Sequence, residues 1–399
     1  MPLGIYLSVP FCRSKCTYCN FASDVFSRAV FEHYVDRVCG DIDRAEQTAA
    51  RVGGGLERAV TTIYLGGGTP TVLAPAQLER IFGTISQNFE IEHGAEIAVE
   101  CAPATLTDEM LATLGGCGVN RVSLGVQSFV DAEARAVGRL HTRTAVLDDI
   151  ARLRAAGMEN ISIDLIAGLP HQTQESWDLS LEQTAQLGVP HVSVYMLEVD
   201  EDSRLGRELI AGGTKYHAHF VPDEDLTTDL YESACRRLEA CGIRQYEISN
   251  FARPGSESRH NLKYWTRQPY FGFGVDAHSM LHVEGHFSHD AARSVRFQTP
   301  DSLEAYLARN ETQWTRISPY TALEENFFLG LRLNQGVDLR EISVEFGGLE
   351  LEACHSTISE LVCDGLLDRQ GNRIRLTPRG RLLSNEVFAR FISSTAVAG

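Results

Sequence analysis

Six short apolar runs, each followed by a stretch of helical character, organise the first half of the chain. The apolar runs cover residues 4–10, 60–65, 96–101, 121–126, 161–167 and 192–199. Helical apolar spacing follows them, most clearly over residues 29–51 and 173–187. Pro75 is placed near the start of one helix, and Thr107 is placed to cap another. Because strands that alternate with helices form parallel sheets covered by helices, we predict an α/β fold with a partial (β/α)6 TIM-like barrel.

The second half of the chain has a different pattern. Residues 205–245 are helical and polar, whereas residues 260–289 are rich in Gly, His and aromatic residues and are expected to be irregular. From Pro319, two or three amphipathic helices precede two strand-like runs around a turn at 370–372, and a last helix follows Pro378. This order predicts an α+β, winged-helix-like domain. The predicted division is barrel, connecting region and C-terminal domain, at residues 1–215, 216–310 and 311–399.

Net charge and composition argue against several classes of function. The 399-residue chain has a net charge of −17, so no nucleic-acid partner is predicted. A winged-helix-like domain raises DNA binding as a hypothesis, but acidic residues outnumber basic ones there. No apolar run reaches the length of a membrane span, and the N-terminus lacks the basic start of a signal peptide. The ten cysteines are scattered apart from one cluster of three, which favours the cytoplasm over a disulfide framework.

Cys12, Cys16 and Cys19 form that cluster, directly after the first apolar run. Three thiolates on one short loop can hold three irons of a 4Fe–4S cluster and leave the fourth iron open to a small molecule. An electron-transfer cluster normally has four cysteine ligands. A structural zinc site normally has four ligands, at a different spacing along the sequence. We therefore interpret the loop as the ligand set of an open cluster. The alternative is three unrelated buried thiols.

A glycine-rich segment, Gly66-Gly67-Gly68-Thr69-Pro70, follows the second apolar run. Consecutive glycines allow close approach of the backbone to a ligand, although alone they could form a turn or a phosphate loop. Together with the cysteine spacing, this segment resembles the radical S-adenosylmethionine (SAM) superfamily, in which the open iron is chelated by SAM. The resemblance implies a 4Fe–4S cluster and SAM as cofactors.

Further segments sharpen this resemblance to the oxygen-independent coproporphyrinogen oxidase (HemN) family and, within it, to the heme-chaperone branch called HemW. The segments that carry it, nearly the whole chain in order, are residues 5–21, 66–71, 118–129, 164–173 and 246–279. The resemblance implies that one or two SAM molecules are held by Tyr6, Tyr18, Gly67, Gly68, Thr69, Glu100, Gln127, Arg139 and Asp164. Without it, Gln127 or Asp164 would be interpreted as a buried polar residue paired with backbone.

Two features favour the chaperone branch over the oxidase. The oxidase has a further cysteine where this chain has Phe21, and it has a long extension before the cysteine loop, which the start of this sequence does not show. The sequence also has His260-Asn261-Leu262-Lys263-Tyr264-Trp265, which matches the HNxxYW motif of the chaperones. The match implies heme binding, with the His260 imidazole as iron ligand. Ser258 replaces a cysteine usual in the family, which argues against covalent heme attachment there.

We therefore predict a cytoplasmic, HemW-like heme chaperone that binds a 4Fe–4S cluster, SAM and heme. It would deliver heme to an acceptor apo-hemoprotein that the sequence does not identify, and it would lack coproporphyrinogen oxidase activity. The sequence leaves open whether the chain forms a homodimer. The alternative is an enzyme: a radical SAM oxidase acting on coproporphyrinogen III or a related tetrapyrrole.

Overall fold

The computed structural model describes residues 1–283, 293–308 and 313–392. Its strands are β1 (Leu3–Val9), β2 (Ala59–Gly67), β3 (Glu90–Cys101), β4 (Arg121–Gln127), β5 (Ile161–Ala167), β6 (His191–Met196), β7 (Arg244–Gln245), β8 (Asn250–Ala252), β9 (Tyr270–Gly274), β10 (His278–His282), β11 (Ser294–Gln298), β12 (Gln313–Ile317), β13 (Val337–Asp338), β14 (Leu367–Gln370) and β15 (Arg373–Leu376). The predicted boundary between residues 310 and 311 lies outside the described residues.

The α-helices of the described chain surround the larger sheet or form the C-terminal unit. They are α1 (Ala29–Asp43), α2 (Ala45–Val52), α3 (Pro75–Asn88), α4 (Asp108–Gly116), α5 (Asp131–Ala136), α6 (Arg143–Ala155), α7 (Gln174–Leu187), α8 (Arg204–Ala211), α9 (Glu224–Ala240), α10 (Arg259–Trp265), α11 (Leu303–Leu307), α12 (Pro319–Gly330), α13 (Leu339–Phe346), α14 (Gly348–Cys363), α15 (Pro378–Leu382) and α16 (Ser384–Ala389). Among the residues that the structure describes, no helix is long and apolar enough to cross a bilayer.

The six predicted strands form the centre of one large sheet. Within the described residues its order is β12-β11-β10-β9-β1-β2-β3-β4-β5-β6-β8-β7, and β1 to β6 run parallel. The α/β fold with a parallel, barrel-like sheet is therefore confirmed, and the sheet is not closed. Because all six carboxyl ends lie at one edge, the loops after these strands meet there.

Side chains alternate along the parallel strands between two environments. One set, which includes Ile63, Val122 and Leu165, packs in the main apolar core. The other set points inward, where Ser123 and Asp164 help to line an open cavity. Parallel strands buried on both faces are usually apolar on both. The polar inner face therefore makes the lumen of this barrel suited to a polar ligand.

Local signals placed several helices correctly. The Thr107 hydroxyl accepts a hydrogen bond from the Met110 amide at the start of α4, and Pro75 begins α3, as predicted. The helical character predicted over residues 29–51 is confirmed, but the chain leaves helical geometry at Arg44 and forms two helices, α1 and α2. The polar segment 205–245 is helical in α8 and α9 but not throughout, since a 3-10 turn lies between them.

The prediction of irregular structure after residue 260 is wrong for the described part of that segment, which contains α10, β9 and β10. Strand β9 pairs in parallel with β1, which extends the sheet. A Cβ atom at Gly272 would lie 2.2 Å from the His278 carbonyl oxygen, and one at Gly274 would lie 2.2 Å from that of Ser8. The glycines that weaken the strand signal thus permit the close backbone approach that this sheet requires.

The C-terminal unit confirms the predicted winged-helix-like pattern. Helices α12 to α14 precede the β14–β15 hairpin, and β15 also pairs with β13. This unit has an apolar core of its own, built around buried side chains such as Phe327, Ile358 and Ile374. It is joined to the region after α10 by a buried ion pair in which Arg267 Nε lies 2.9 Å from Glu325 Oε2.

Candidate functional site

The cysteine loop is held at its base and on both sides. The Cys12 amide donates to the Asp24 carbonyl oxygen at 3.0 Å, which closes the loop directly after β1. On one side the Thr17 amide donates to the Val137 carbonyl at 3.1 Å, and on the other the Leu205 amide donates to the Thr17 carbonyl at 2.8 Å. These contacts fix the three cysteines at the carboxyl edge of the sheet, as predicted.

The three thiols are free and differ in exposure. Cys16 is buried, whereas Cys12 and Cys19 are half-buried. Burial is the main cause that raises the pKa of the Cys12 and Cys19 thiols. Among the described residues, no three His, Cys, Asp or Glu side chains converge on a point as one metal ion requires. A cubic cluster binds each thiolate at a different corner, so a set that does not converge still fits it.

The glycine segment lies directly beside this loop. The Gly68 amide donates to the Val9 carbonyl at 2.7 Å, and the Thr69 amide donates to the Phe11 carbonyl at 2.8 Å. A Cβ atom at Gly68 would lie 2.6 Å from the Phe11 carbonyl oxygen and 3.0 Å from Cys12 Sγ. Only glycine therefore fits at this position. Gly67, with φ of +97°, places the turn at the end of β2.

Gln127 and Arg139 carry buried polar atoms without partners. Gln127, at the end of β4, has φ of +68°, in the left-handed region that non-glycine residues rarely adopt. Arg139 Nη2 donates to the Gly125 carbonyl at 2.7 Å. Among the described residues, Gln127 Oε1 and Arg139 Nε have no hydrogen-bond partner. Because such atoms are costly to bury, this arrangement fits a polar ligand that completes it, as SAM would.

Two predicted SAM residues, Glu100 and Asp164, bring carboxylates to the lumen. The Tyr64 hydroxyl donates to Glu100 Oε1 at 2.8 Å, and the Ser123 hydroxyl lies 3.1 Å from both carboxylate oxygens of Asp164. Burial raises the pKa of Glu100 to about 7 and raises that of Asp164 as well. Both side chains line the cavity. They can accept hydrogen bonds from the hydroxyl and amino groups of a ligand there.

The two predicted tyrosines lie on different sides of the candidate site. Tyr6 is inside the barrel, with its ring centroid 6.2 Å from that of Tyr64. Tyr18 is on the cysteine loop and packs on a small apolar group that contains Val137, Ile166 and Leu169. The structure therefore brings the predicted cluster residues and most predicted SAM residues to the carboxyl half of the barrel, whereas the ring of Tyr6 also lies 6.4 Å from that of His260. Their binding roles stay predictions.

His260 lies at the other end of the barrel. It is in the first turn of α10, beside Gly4 and Thr62, near the amino ends of β1 and β2. The carboxylate of Glu96 accepts hydrogen bonds from the backbone amides of Arg259 and His260, at 3.1 and 3.0 Å. A carboxylate at a helix N-terminus is stabilising, so these bonds fix the start of α10.

Both ring nitrogens of His260 are paired. Nδ1 lies 2.8 Å from Thr62 Oγ1, and Nε2 lies 2.8 Å from the Tyr264 hydroxyl. The side chain is 1% exposed, and its ring stacks on Tyr64 at 5.4 Å between centroids. Burial, with the nearby positive charge of Lys263, lowers the pKa of His260 to about 3. In this conformation neither nitrogen is free to bind iron.

Several lumen residues were missed from the sequence. Ser162, Ser193, His191 and Arg121 also line the cavity, and Arg121 is buried with its Nη2 atom unpaired in the described chain. A signal for them was present, because polar and apolar residues alternate in all six parallel strands. Such alternation indicates a strand with one polar face, and in a parallel barrel that face lines the lumen.

Comparison with known proteins identifies the class first. Residues 6–183 match the Radical SAM superfamily, and residues 317–383 match the HemN C-terminal domain. The structure of coproporphyrinogen III oxidase (HemN) from Escherichia coli superposes with a TM-score of 0.81 and 25% identity, covering 98% of this chain and 90% of that one. The fold, the cysteine loop and the C-terminal unit are thus those of a HemN-type radical SAM protein.

Closer relatives define the family. The heme chaperone HemW of Lactococcus lactis is 34% identical over 98% of this chain and 97% of its own length. HemW of Bacillus subtilis is 33% identical over 97% and 98%. The mitochondrial radical S-adenosyl methionine domain-containing protein 1 of Mus musculus is 32% identical over 91% and 81%. The chain belongs to the HemW family.

Proposed function

We propose that the chain is a heme chaperone of the cytoplasm that binds a 4Fe–4S cluster, SAM and heme and passes heme to an acceptor hemoprotein. The observation that carries the cofactor part is that two buried atoms, Gln127 Oε1 and Arg139 Nε, have no partner among the described residues and lie on the side of the barrel that carries three free cysteines. The names of the relatives, which are similar over nearly their whole length, support the heme part.

The predicted site residues have different proposed roles in binding the cluster and SAM. Cys12, Cys16 and Cys19 would hold the cluster, which when bound supplies one iron open to SAM. The guanidinium of Arg139 would pair with the SAM carboxylate, and Glu100 and Asp164 would accept from hydroxyl and amino groups. Tyr6, Tyr18, Gly67, Gly68, Thr69 and Gln127 would complete the pocket. On this division, residues 1–215 carry the cofactors, 216–310 carry the heme motif and 311–399 pack beside it.

His260 stays the predicted heme ligand, although its imidazole is already hydrogen-bonded. Its lowered pKa keeps the imidazole neutral, as ligation requires. However, Nε2 is paired with the Tyr264 hydroxyl and the side chain is 1% exposed, so the imidazole must first be uncovered. Heme binding at His260 therefore implies a second conformation of the residues around it.

The second candidate function is the oxidase, which the close superposition on HemN favours. That reaction would need SAM cleavage and a bound porphyrinogen. At the position of the further cysteine, the chain carries Phe21, whose side chain is 64% exposed and offers no metal ligand. We therefore propose that the chain lacks this activity.

One anaerobic experiment with the cluster-reconstituted protein separates the two functions. One sample receives SAM, a reductant and coproporphyrinogen III, and 5′-deoxyadenosine and protoporphyrinogen are measured. A parallel sample is titrated with heme and followed by absorbance. Near-equimolar heme binding without porphyrinogen conversion is the expected result. Conversion over many turnovers, with SAM cleavage matched to product, would replace the chaperone by the oxidase.

The acceptor and the oligomeric state need a second measurement. The acidic chain is expected to act on a protein rather than on nucleic acid, because its net charge of −17 repels phosphates. The heme-loaded protein is mixed with a panel of apo-hemoproteins, and transfer is read as the acceptor's own absorbance spectrum. Light scattering with and without heme determines whether a homodimer forms.

A further inference from the structure

Tyr64 of β2 contacts residues from both ends of the barrel. Its hydroxyl donates to Glu100 Oε1, on a predicted SAM residue, at 2.8 Å. Its ring stacks on that of His260, the predicted heme ligand, with 5.4 Å between the centroids. We propose that Tyr64 is a positioning residue shared by the two sites, through which bound SAM weakens the binding of heme. The inference rests on the proposed function, because it assumes that the chain binds both ligands.

The hydroxyl of Tyr64 lies at the polar lumen. Tyr64, Glu100 and Asp164 all line the cavity there. A carboxylate can accept about four hydrogen bonds, so Glu100 can accept from Tyr64 and from a ligand at the same time. A hydrogen bond to a charged carboxylate is also about twice as strong as one between neutral groups. The bond from Tyr64 therefore strengthens when Glu100 is charged.

The ring of Tyr64 belongs to a group of three rings at the amino end. The planes of the Tyr64 and His260 rings are 24° apart, and the Tyr6 ring lies 6.2 Å from that of Tyr64 and 6.4 Å from that of His260. Thr62, on the same face of β2 as Tyr64, has its hydroxyl oxygen 2.8 Å from His260 Nδ1. Side chains of β1 and β2 thus enclose the imidazole, and a shift of Tyr64 changes how it is packed.

The neighbouring strand β3 also reaches both ends. Glu96 accepts from two backbone amides at the start of α10, and Glu100, four residues further along, accepts from Tyr64. Four residues of a strand span about 13 Å. Strands β2 and β3 pair in parallel, with Thr62 opposite Glu96. Each strand therefore carries one residue for α10 and one for the SAM end, and the side chain of Tyr64 joins the two levels.

The direction of the coupling follows from what heme binding requires. His260 is 1% exposed, so its imidazole must be uncovered before iron can reach it. Hydrogen-bond donors and positive charge favour the charged form of a carboxylate, so Glu100 is more often charged beside the hydroxyl, amino and sulfonium groups of SAM. A charged Glu100 holds Tyr64, and Tyr64 holds the covered conformation of His260. Bound SAM therefore weakens heme binding, and by linkage bound heme weakens SAM binding by the same factor.

The test is heme titration of the full-length, cluster-reconstituted protein under anaerobic conditions, with and without saturating SAM. No reductant is added, so that SAM stays intact. The variant is Tyr64→Phe, which keeps the ring over His260 and removes the hydrogen bond to Glu100. The matched control is Tyr306→Phe, because the hydroxyl of this buried tyrosine also donates to a carboxylate oxygen, Asp41 Oδ2 at 2.7 Å, outside both sites. Circular dichroism and thermal unfolding establish that each variant is folded.

We expect the heme affinity of the wild type to fall about fivefold or more when SAM is bound. In Tyr64→Phe this factor is expected to fall below about twofold, whereas heme affinity without SAM is expected to stay within about twofold of the wild type. Tyr306→Phe is expected to keep the wild-type factor. Full coupling in Tyr64→Phe, or loss of coupling in Tyr306→Phe, would overturn the inference. Tighter heme binding in the presence of SAM would overturn it as well.

A second readout is the pH profile of SAM affinity, which a purely structural role of Tyr64 would not shift. Burial is the main cause that raises the pKa of Glu100 to about 7. The hydrogen bond from Tyr64 lowers this pKa, the charge of Asp164 raises it and that of Arg139 lowers it. Removing the Tyr64 hydroxyl therefore raises the pKa of Glu100, and the midpoint of the profile is expected to move to higher pH in Tyr64→Phe. A midpoint equal to that of the wild type would contradict the positioning role.

A heme-free measurement separates failure of the inference from failure of the proposed function. Amide hydrogen exchange of residues 258–266, which contain α10 and its caps, is measured with and without SAM. We expect SAM to slow this exchange in the wild type but not in Tyr64→Phe. Unchanged exchange in the wild type, or a heme affinity that SAM does not alter, would overturn the inference and leave the proposed function intact. If the wild type does not bind heme, the proposed function fails, and the inference fails with it.

Discussion

The two ends of the barrel place buried polar side chains under opposite conditions. At the carboxyl end, Gln127 and Arg139 each leave a buried atom without a partner in the described chain. At the amino end, His260 has both ring nitrogens paired. An unpaired buried group costs about 1–3 kcal/mol, so it persists where a ligand completes it. The unpaired atoms of Gln127 and Arg139 therefore suit a ligand, whereas the imidazole of His260 needs none, although Arg121 Nη2 and Trp265 Nε1 near the amino end also lack partners in the described chain.

The largest expected effect at the carboxyl end is loss of the 4Fe–4S cluster when one of the three cysteines is replaced. Cys12→Ala removes one of three proposed iron ligands, and we expect nearly all cluster iron to be lost. Iron content and visible absorbance after anaerobic reconstitution measure this. Cys241→Ala, at a cysteine of similar exposure outside the loop, is the control and is expected to keep its iron. Equal iron in both variants would remove the loop from the cluster site.

A methyl group at Gly68 is expected to have the next largest effect. In Gly68→Ala, the new Cβ would meet the Phe11 carbonyl oxygen at 2.6 Å, so the glycine segment or the cysteine loop must shift. We expect SAM affinity, measured by calorimetry, to fall about tenfold or more. Gly83→Ala in α3 is the control, because its Cβ meets nothing within 4 Å in the described chain. It is expected to be neutral or slightly stabilising.

His260→Ala tests how much the fully paired imidazole contributes to stability at the amino end. The change leaves Thr62 Oγ1 and the Tyr264 hydroxyl without their partner, so the free energy of unfolding is expected to fall by about 2–4 kcal/mol. Urea unfolding of the apoprotein measures it. The exposed His93→Ala is expected to change stability by less than about 0.5 kcal/mol. A His260→Ala protein as stable as the wild type would mean that the hydrogen bonds of the imidazole to Thr62 and Tyr264 do not stabilise the fold.

The same histidine predicts a dependence of stability on pH. Because the pKa of His260 is about 3 in the folded protein and near 6.5 when unfolded, the unfolded state binds the extra proton between these values. Stability is therefore expected to fall as pH decreases from about 6.5 towards 3, with a slope from this group of up to about 1.4 kcal/mol per pH unit. His260→Gln is expected to reduce that slope. An unchanged slope would contradict the lowered pKa.

The smallest expected effect concerns Glu100 at the carboxyl end. Burial raises its pKa to about 7, so its carboxylate is charged above that pH and protonated below it. We expect SAM affinity to fall several-fold as pH decreases from about 8 to 6, because a protonated carboxyl accepts fewer hydrogen bonds. Glu100→Gln is expected to flatten this profile, and the exposed Glu79→Gln is expected to keep it. A flat wild-type profile would exclude Glu100 from contact with SAM.

Parts of both regions were predictable from local sequence. The six parallel strands were placed within a few residues, apart from β3, which starts earlier than predicted. They were predictable because a short apolar run is typical of a buried strand. The α10–β10 segment was not recognised, since Gly272 and Gly274 weaken strand propensity. Their value is visible only where β9 lies against β1 and β10. The polar lumen was encoded by alternation in the strands but was overlooked.

The sequence by itself determined the order of the six parallel strands, the helical character of the segments between them and the one-loop spacing of Cys12, Cys16 and Cys19. Both depend on residues that are neighbours along the chain. Only the tertiary structure decided that His260 lies at the opposite end of the barrel from those cysteines, with both nitrogens paired. It also brought together His171 and His217, which are 46 residues apart. Such contacts depend on sheet register and on the packing of distant segments, which no local pattern specifies.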